Sequence, residues 1–309
     1  DGHDHIDDAF KRGAVAVVAE NQVKTVHPQV IVNDSRLALA LLSLTLYQCF
    51  DLPFSLLGVT GTNGKTTLTH LLYQLAVAVD EKPALIGTLG VKTPFGMQEG
   101  ERTTPESRDL AILFDDFRRY GLGPVFMEVS SHAIALKRVH GLLFDAAIFT
   151  NLTQDHLDFH SDMENYYTTK AALFKQLKNT SPAIINIDDP YGKRLFKECT
   201  HSNKISYSVS DKGADVHFKE LSVTLQGIRG ILHTAKKEIS VRANMPGLFN
   251  AENIAGTIAA WISLFPAQIH HLDNFPFESV PGRMEMIPGS RGTAVIDYAH
   301  TPDAMEKVL

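Results

Sequence analysis

The hydrophobic pattern of this chain changes period along its length. From residue 54, short apolar runs alternate with longer stretches in which apolar side chains recur every three to four positions. The runs predict strands at 54–60, 84–89, 124–129, 145–150 and 183–187, and the stretches predict helices at 65–79, 106–120, 163–177 and 190–198. Val125-Phe126-Met127, Ala146-Ala147-Ile148-Phe149 and Ile184-Ile185 contain no polar residue, as strands buried on both faces of a parallel sheet require. The helix from 65 carries Leu68, Leu71, Leu72, Leu75, Ala76 and Val79 at the spacing of one buried face.

The pattern differs on either side. Residues 5–12 read as a short helix, Ala14–Ala19 and Val30–Val32 as strands, and Leu37, Leu41, Leu44 and Tyr47 as one face of a helix capped by Asp34 or Ser35. Asp51-Leu52-Pro53 ends that helix. Ile205–Val209, Asp215–Gln226, Arg229–Thr234 and Glu238–Ala243 read as short antiparallel strands, and about 250–264 as a returning helix. Pro276 and Pro281 mark another break, followed by a strand at Thr293–Tyr298 and a helix after Pro302. The expectation is an α/β protein with three parts. Residues 1–52 are the remainder of an N-terminal α/β domain. Residues 53–277 form a central phosphate-loop domain with a mostly parallel sheet and an antiparallel sub-sheet, and 278–309 begin a C-terminal Rossmann-like domain. The chain lacks an initial methionine and stops within a predicted helix at Lys307-Val308-Leu309, so both ends are expected to be cut.

Composition narrows the class. A 44% hydrophobic fraction suits a buried core, and a net charge of −6 offers no global field for nucleic acid. Cys49 and Cys199 are too few and too scattered for a disulfide framework or zinc site, which points to a reducing, cytoplasmic setting. The apolar stretch Leu37–Tyr47 is too short to span a bilayer, so no membrane insertion is expected.

The main chemical signal is Leu57-Gly58-Val59-Thr60-Gly61-Thr62-Asn63-Gly64-Lys65-Thr66-Thr67, a strand passing through a glycine loop into a helix. Glycines let backbone N–H groups turn toward an anion, and the helix N-terminus adds unpaired N–H groups and the positive end of its dipole. Lys65 supplies a mobile charge for outer phosphates and Thr66 a hydroxyl for Mg²⁺. The usual G-x-x-x-x-G-K-[ST] spacing needs glycine at 59, which is valine, so an ordinary strand-turn-helix is the competing reading.

Ligands of parallel sheets gather beyond the carboxyl ends of the strands. Thr60–Thr67, Glu128–His132 and Thr150–His160 each follow a predicted strand and should meet in one crevice. Glu128 reads either as an Mg²⁺ ligand or as a solvated residue before a helix capped by Ser130 or Ser131. The loop Thr150–His160 holds two histidines and two aspartates, a density that suits a metal or phosphate site. Arg102-Thr103-Thr104-Pro105-Glu106 reads equally as a loop before a capped helix, and Lys170 by position alone reads as solvent-exposed.

Taken together, Thr60–Thr67, Thr103-Thr104-Pro105, Glu128-Val129-Ser130-Ser131-His132, Phe149–Asp158, Pro281-Gly282-Arg283-Met284-Glu285 and Asp297-Tyr298-Ala299-His300-Thr301-Pro302-Asp303 resemble the Mur ligases, of the type that makes UDP-N-acetylmuramoyl-tripeptide. That family's loop shares the Thr-Gly-Thr-Asn-Gly-Lys form, which accounts for Val59. The resemblance implies ATP- and Mg²⁺-dependent addition of meso-diaminopimelate or L-lysine to the D-Glu of UDP-MurNAc-L-Ala-D-Glu through an acyl phosphate, in peptidoglycan synthesis. It implies that Gly61, Thr62, Asn63, Gly64, Lys65, Thr66 and Thr67 hold the phosphates. Asn250 would lie near adenine, Arg283, Asp297 and His300 would reach ATP, and Asp297 would hold the ribose. Thr66, Glu128, His156 and a carbamylated Lys170 would serve magnesium. Thr103, Thr104, Ser130 and Arg138 would hold the UDP-sugar peptide. Lys65, Glu128, His156 and Lys170 are thus the implied catalytic set. The implied partners are these small molecules only, and a monomer is expected. Arg102 stands where the family often has Asn, and the family's amino-acid-selecting residues fall outside the sequence, so the chain as given is expected to bind ATP but turn over poorly. A folylpolyglutamate-synthase-like ligase and a non-catalytic nucleotide-binding paralogue are the alternatives.

Overall fold

A computed structural model describes residues 2–290 and 292–309. The N-terminal part holds α1 (Ile6–Lys11), the parallel pair β1 (Val17–Ala19) and β2 (Gln29–Ile31), and α2 (Ser35–Leu46). Asp34, not Ser35, caps α2 by accepting a 2.8 Å bond from the Leu37 amide, and its other oxygen takes an ion pair from Lys137.

The centre is one twelve-stranded sheet. In chain order it comprises β3 (Leu56–Thr60), α3 (Lys65–Ala78), β4 (Ala84–Gly87), β5 (Gly90–Thr93), β6 (Gly96–Gln98), α4 (Ser107–Tyr120), β7 (Val125–Glu128), α5 (Ser131–Ala135) and β8 (Ala146–Phe149). It continues through α6 (Leu157–His160), α7 (Met163–Ala171), β9 (Ala183–Asn186), α8 (Pro190–Glu198), β10 (Lys204–Ser208), β11 (Val216–Thr224), β12 (Gly227–His233), β13 (Glu238–Ala243), α9 (Leu248–Leu264) and β14 (Pro276–Phe277). The strand order is β14-β13-β12-β11-β10-β9-β8-β3-β7-β4-β5-β6. The antiparallel hairpin β15 (Glu285–Gly289) and β16 (Gly292–Ile296), then α10 (Pro302–Val308), complete the chain.

The unbroken apolar runs arise because both faces of the sheet are covered. Leu57, Val59, Phe126, Ile148 and Ile184 enter one core with α3 and α9, whereas Leu56, Met127, Phe149 and Ile185 enter the other with Leu110 and Phe114 of α4. Helix α9 lies close because Gly256 has no side chain: a Cβ there would meet the Tyr207 ring at 2.9 Å and Leu68 at 3.1 Å. This close approach brings the start of α9 beside the start of α3.

Four expectations need correction. Strand β10 is parallel to both β9 and β11, so the antiparallel sub-sheet contains only β11, β12 and β13 in chain succession. Strand direction is set by pairing partners and is invisible in local spacing. The predicted helix 163–177 ends as α at Ala171 and continues as a 3-10 turn, Ala172–Gln176. The second antiparallel extension, β5–β6, is absent from the expected strands, because all its residues but Gly90 are partly buried or exposed and carry no periodic signal. The strand expected at Thr293–Tyr298 is β16, Gly292–Ile296, and its partner β15 was not foreseen.

Candidate functional site

The strand ends β3, β4 and β7 open into a cavity of about 270 Å³. Its wall includes Thr62, Asn63, Gly64, Lys65, Thr66 and Thr67 from the glycine loop, Thr103, Glu128, Ser130 and His156 from the neighbouring loops, and Arg283, Asp297 and His300 from the C-terminal part. Gly61, Thr104, Arg138, Lys170 and Asn250 are not part of that wall.

The glycine loop needs its glycines. Gly64 has φ +87°, and a Cβ there would sit 2.4 Å from Oδ1 of Asn253; at Gly61, φ +146°, a Cβ would meet Thr150 Oγ1 at 1.9 Å. The loop is held from behind by Thr150 Oγ1 donating to the Asn63 carbonyl (2.6 Å) and by the Asn63 amide donating to Asn151 Oδ1 (2.9 Å). Lys65 Nζ donates to the carbonyls of Gly61 (2.9 Å) and Thr62 (2.8 Å), curled over the loop where a phosphate would draw it outward. Desolvation lowers its pKa, opposed by the charges of Glu128 and Asp155.

Glu128 at the end of β7 is fully buried, not solvated. Its Oε2 accepts from Thr66 Oγ1 at 3.0 Å and from Thr88 Oγ1 at 3.1 Å, and its Oε1 from the Thr88 amide at 2.9 Å. Thr88 Oγ1 in turn lies 3.1 Å from Thr103 Oγ1. One carboxylate thus links the first turn of α3 to the Thr103-Thr104 loop. Ser130 does cap α5, accepting from the Ala133 amide at 3.2 Å, so the capping part of that reading holds while its solvated Glu128 does not. Thr104 is buried and ties the loops: its hydroxyl donates to the Glu128 carbonyl at 2.8 Å and accepts from the Ser130 amide at 3.1 Å. Arg138 donates to the Thr104 carbonyl (3.2 Å) and pairs with Glu106 (2.9 Å).

Lys170 is only 1% exposed, against the solvent-exposed reading of its position. Its Nζ donates to the Gly61 carbonyl at 2.8 Å, the same oxygen that Lys65 uses, and lies 4.6 Å from the centre of the Tyr166 ring. Burial drives its pKa well below that of a free lysine, and the charge of Lys65 adds to the effect. His156 adopts φ +51° and contacts the His132 ring edge-on at 4.8 Å. Burial lowers both imidazole pKa values, so both favour the neutral form. Asn250 is buried and its amide donates to the Pro246 carbonyl at 2.7 Å, whereas Asn253, one turn on, reaches the cavity. Asp297 accepts from the amides of Met284 (2.8 Å) and Ala299 (2.7 Å). Arg283 comes within 3.4 Å of Thr66 Oγ1.

Thr88, Glu252 and Asn253 also line the cavity and were not singled out by sequence, whereas Asn151 and Asp155, which line it too, belong to the Thr150–His160 loop already marked as a metal or phosphate site. Only the repeated Asn of Gly247-Leu248-Phe249-Asn250-Ala251-Glu252-Asn253 carried a usable signal, since Asn250 and Asn253 share one helical face.

The donor set suits magnesium bound jointly with phosphate. Among the described residues no group of three His, Cys, Asp or Glu side chains could cage a metal. A buried carboxylate beside a threonine hydroxyl supplies the one or two hard oxygen ligands that Mg²⁺ takes from protein when phosphates and water supply the rest. Among the described residues no helix is long and apolar enough to cross a membrane.

Comparison with known proteins adds an independent line. The family model described as the Mur ligase middle domain matches residues 59–261. UDP-N-acetylmuramoyl-L-alanyl-D-glutamate–2,6-diaminopimelate ligase 1 of Clostridium acetobutylicum is 40% identical over 315 residues, covering 100% of this chain and 64% of that protein. The chain thus spans 64% of the length of that relative. A solved structure of a UDP-N-acetylmuramoyl-L-alanyl-D-glutamate–2,6-diaminopimelate ligase superposes with a TM-score of 0.82 at 29% identity, over 99% of this chain and 63% of that one. Folylpolyglutamate synthase of Mycobacterium tuberculosis, solved with ADP, shares the fold with a TM-score of 0.70 at 15% identity, over 89% of this chain and 69% of that one.

Proposed function

Since this chain belongs to the Mur ligase family, we propose that it carries the ATP-binding and carboxylate-activating centre of a ligase that adds a diamino acid to the D-Glu of UDP-MurNAc-L-Ala-D-Glu. The substrate for which the relatives are named favours 2,6-diaminopimelate as that amino acid. The observation that carries the reading is Glu128, whose single buried carboxylate joins the phosphate-loop hydroxyl of Thr66 to the Thr88–Thr103 pair on the opposite loop. Such a bridge couples a nucleotide site to an acceptor site.

A carboxylate is a poor acyl donor because oxide would have to leave, whereas phosphate leaves readily. The acid oxygen attacks the γ-phosphorus, ADP departs, and the amine then displaces phosphate with loss of its proton. The two anions must be held together, which requires concentrated positive charge. Lys65 exchanges its bonds to the Gly61 and Thr62 carbonyls for the outer phosphates, and the first turn of α3 offers its amides. Arg283, beside Thr66, adds a second cation from the C-terminal part. Magnesium, when bound, neutralises phosphate charge; Thr66 and Glu128 would hold it, with His156 at the cavity wall. Thr103 and Ser130 lie in the wall where the acceptor would bind, and Thr104 and Arg138 set their positions from behind.

Lys170 fits carbamylation. The reaction with CO₂ needs a neutral amine, which is present in only about one part in a thousand for a free lysine at neutral pH. Desolvation and the neighbouring Lys65 raise that fraction here. The resulting carbamate would place a negative charge next to Lys65.

The test supplies ATP, Mg²⁺ and UDP-MurNAc-L-Ala-D-Glu whose D-Glu side-chain carboxylate carries ¹⁸O. Transfer of one ¹⁸O to inorganic phosphate, dependent on the diamino acid, is the expected result. Amide product accompanied by phosphate that carries no ¹⁸O, or ADP release stimulated by a folate and not by the muramyl dipeptide, would refute the reading.

A further inference from the structure

We propose that Glu252 reads the base of the bound nucleotide, its carboxyl group engaging a purine that carries an amino group beside an unprotonated ring nitrogen, as adenine does. This deepens the nucleotide reading above and rests on it. Lys65 and Thr66 mark the phosphate end of the cavity, and Gly64 lies against Asn253 of α9, whose Oδ1 would be 2.4 Å from a Cβ at position 64. The same wall includes Phe249 and Glu252 of α9 with Ala304, Lys307 and Val308 of α10, and Lys307 is close enough for its charge to act on Glu252. An aromatic ring and aliphatic side chains around a polar group form a surface for a flat heteroaromatic ring.

Glu252 is the acidic group of this region with hydrogen-bonding capacity to spare. Asp188 accepts from Ser208 Oγ (2.6 Å) and the Val209 amide (2.7 Å), and Asp189 from the amides of Leu152 (3.2 Å) and Gly192 (2.9 Å). Glu252 has one long bond, 3.5 Å from Asn186 Nδ2. Burial, then the charge of Asp188, pushes its pKa up to about 7; Asp189 acts in the same direction and Lys307 of α10 against it. The buried phenol of Tyr207 on β10 also senses this carboxyl group.

The two protonation states read different bases. A protonated carboxyl donates to the adenine ring nitrogen and accepts from the adjacent amine, forming two bonds. A carboxylate repels that nitrogen's lone pair, and instead matches guanine, which presents two N–H donors side by side. Preference for ATP over GTP should therefore be strong in mild acid and shrink as pH rises. Comparing the two nucleotides at each pH cancels titration of their phosphates.

Calorimetric titration with ATP, GTP, 2′-deoxy-ATP and purine riboside triphosphate, which lacks the amine, tests this on the full chain. At about pH 6 ATP should bind about tenfold more tightly than GTP or purine riboside triphosphate, with the ATP/GTP ratio falling toward about pH 8. Glu252→Gln, whose amide offers the donor and acceptor of the protonated acid, should hold that ratio constant with pH. Glu252→Ala should abolish it. A ratio unchanged by Glu252→Ala, or independent of pH in the unaltered chain, overturns the proposal. So does an equal loss for ATP and purine riboside triphosphate that 2′-deoxy-ATP escapes, because the carboxyl would then hold the ribose. If ATP binds equally well to Lys65→Ala, the nucleotide reading itself fails, and the Glu252 proposal with it.

Discussion

Gly87, the last residue of β4, offers a test of the Glu128 bridge that changes none of its members. Its backbone is not left-handed, so alanine there adds no conformational strain. A Cβ at Gly87 would lie 2.2 Å from Glu128 Oε1, and ordinary contact begins near 3.4 Å, so the carboxylate must retreat by about 1.2 Å. That movement breaks the 2.9 Å bond from the Thr88 amide. Losing one bond to a buried carboxylate costs about 1.5–3 kcal/mol. At about 2–4 °C per kcal/mol, the melting temperature of Gly87→Ala should fall by about 3–12 °C. The functional effect is more specific. Magnesium demands near-ideal geometry at about 2.1 Å, so a shift of this size removes Glu128 from reach. ADP affinity measured by calorimetry should fall about tenfold in the presence of Mg²⁺ and stay unchanged in EDTA. A Gly87→Ala chain that binds Mg-ADP as tightly as the unaltered chain would refute the reasoning, since the carboxylate could not then be a ligand confined by that glycine.

Gly64→Ala must strain φ +87° and displace Asn253, so it should lose about 1–2 kcal/mol of stability and weaken nucleotide binding about tenfold. Gly121→Ala, at φ +61° with nothing within 4 Å, is the matched control: it should lose similar stability in a thermal melt and leave binding intact. His70 is buried, its Nδ1 is 2.9 Å from the Thr66 carbonyl, and burial pushes its pKa down to about 4. The folded state therefore resists a proton that the unfolded chain accepts near pH 6.5, so its contribution is intact above about pH 6.5 and is lost as pH falls toward 4, to a total of about 3 kcal/mol. Urea unfolding across that window should show a shallower pH slope in His70→Gln; an unchanged slope would place the titration elsewhere.

Much of this site is written locally. The glycine loop, Lys65 and Thr66 are readable because strand, turn and helix are consecutive, and the apolar runs announce strands covered on both faces. What the sequence conceals depends on partners far along the chain. Strand β10 has the same residue pattern whether it runs parallel or antiparallel. Thr88 is one threonine among many until β4 lies beside β7 and brings it to Glu128. Asn250 and Asn253 are equivalent by spacing, and only the fold distinguishes them, with Asn250 bonded to the Pro246 carbonyl and Asn253 at the cavity wall. Lys170 gives no periodic sign of burial, because the loop carbonyl it meets at Gly61 is 109 residues away.

The central claim is that one cavity holds a triphosphate on the Lys65 loop with a divalent ion at Glu128. Crystals grown with ADP and Mn²⁺, examined by anomalous diffraction, test it most directly. A manganese peak within ligand distance of Glu128 and Thr66 oxygens, with the diphosphate on the amides of the Gly61–Thr67 turn, is the predicted result. A nucleotide bound elsewhere, or manganese remote from both side chains, would contradict it.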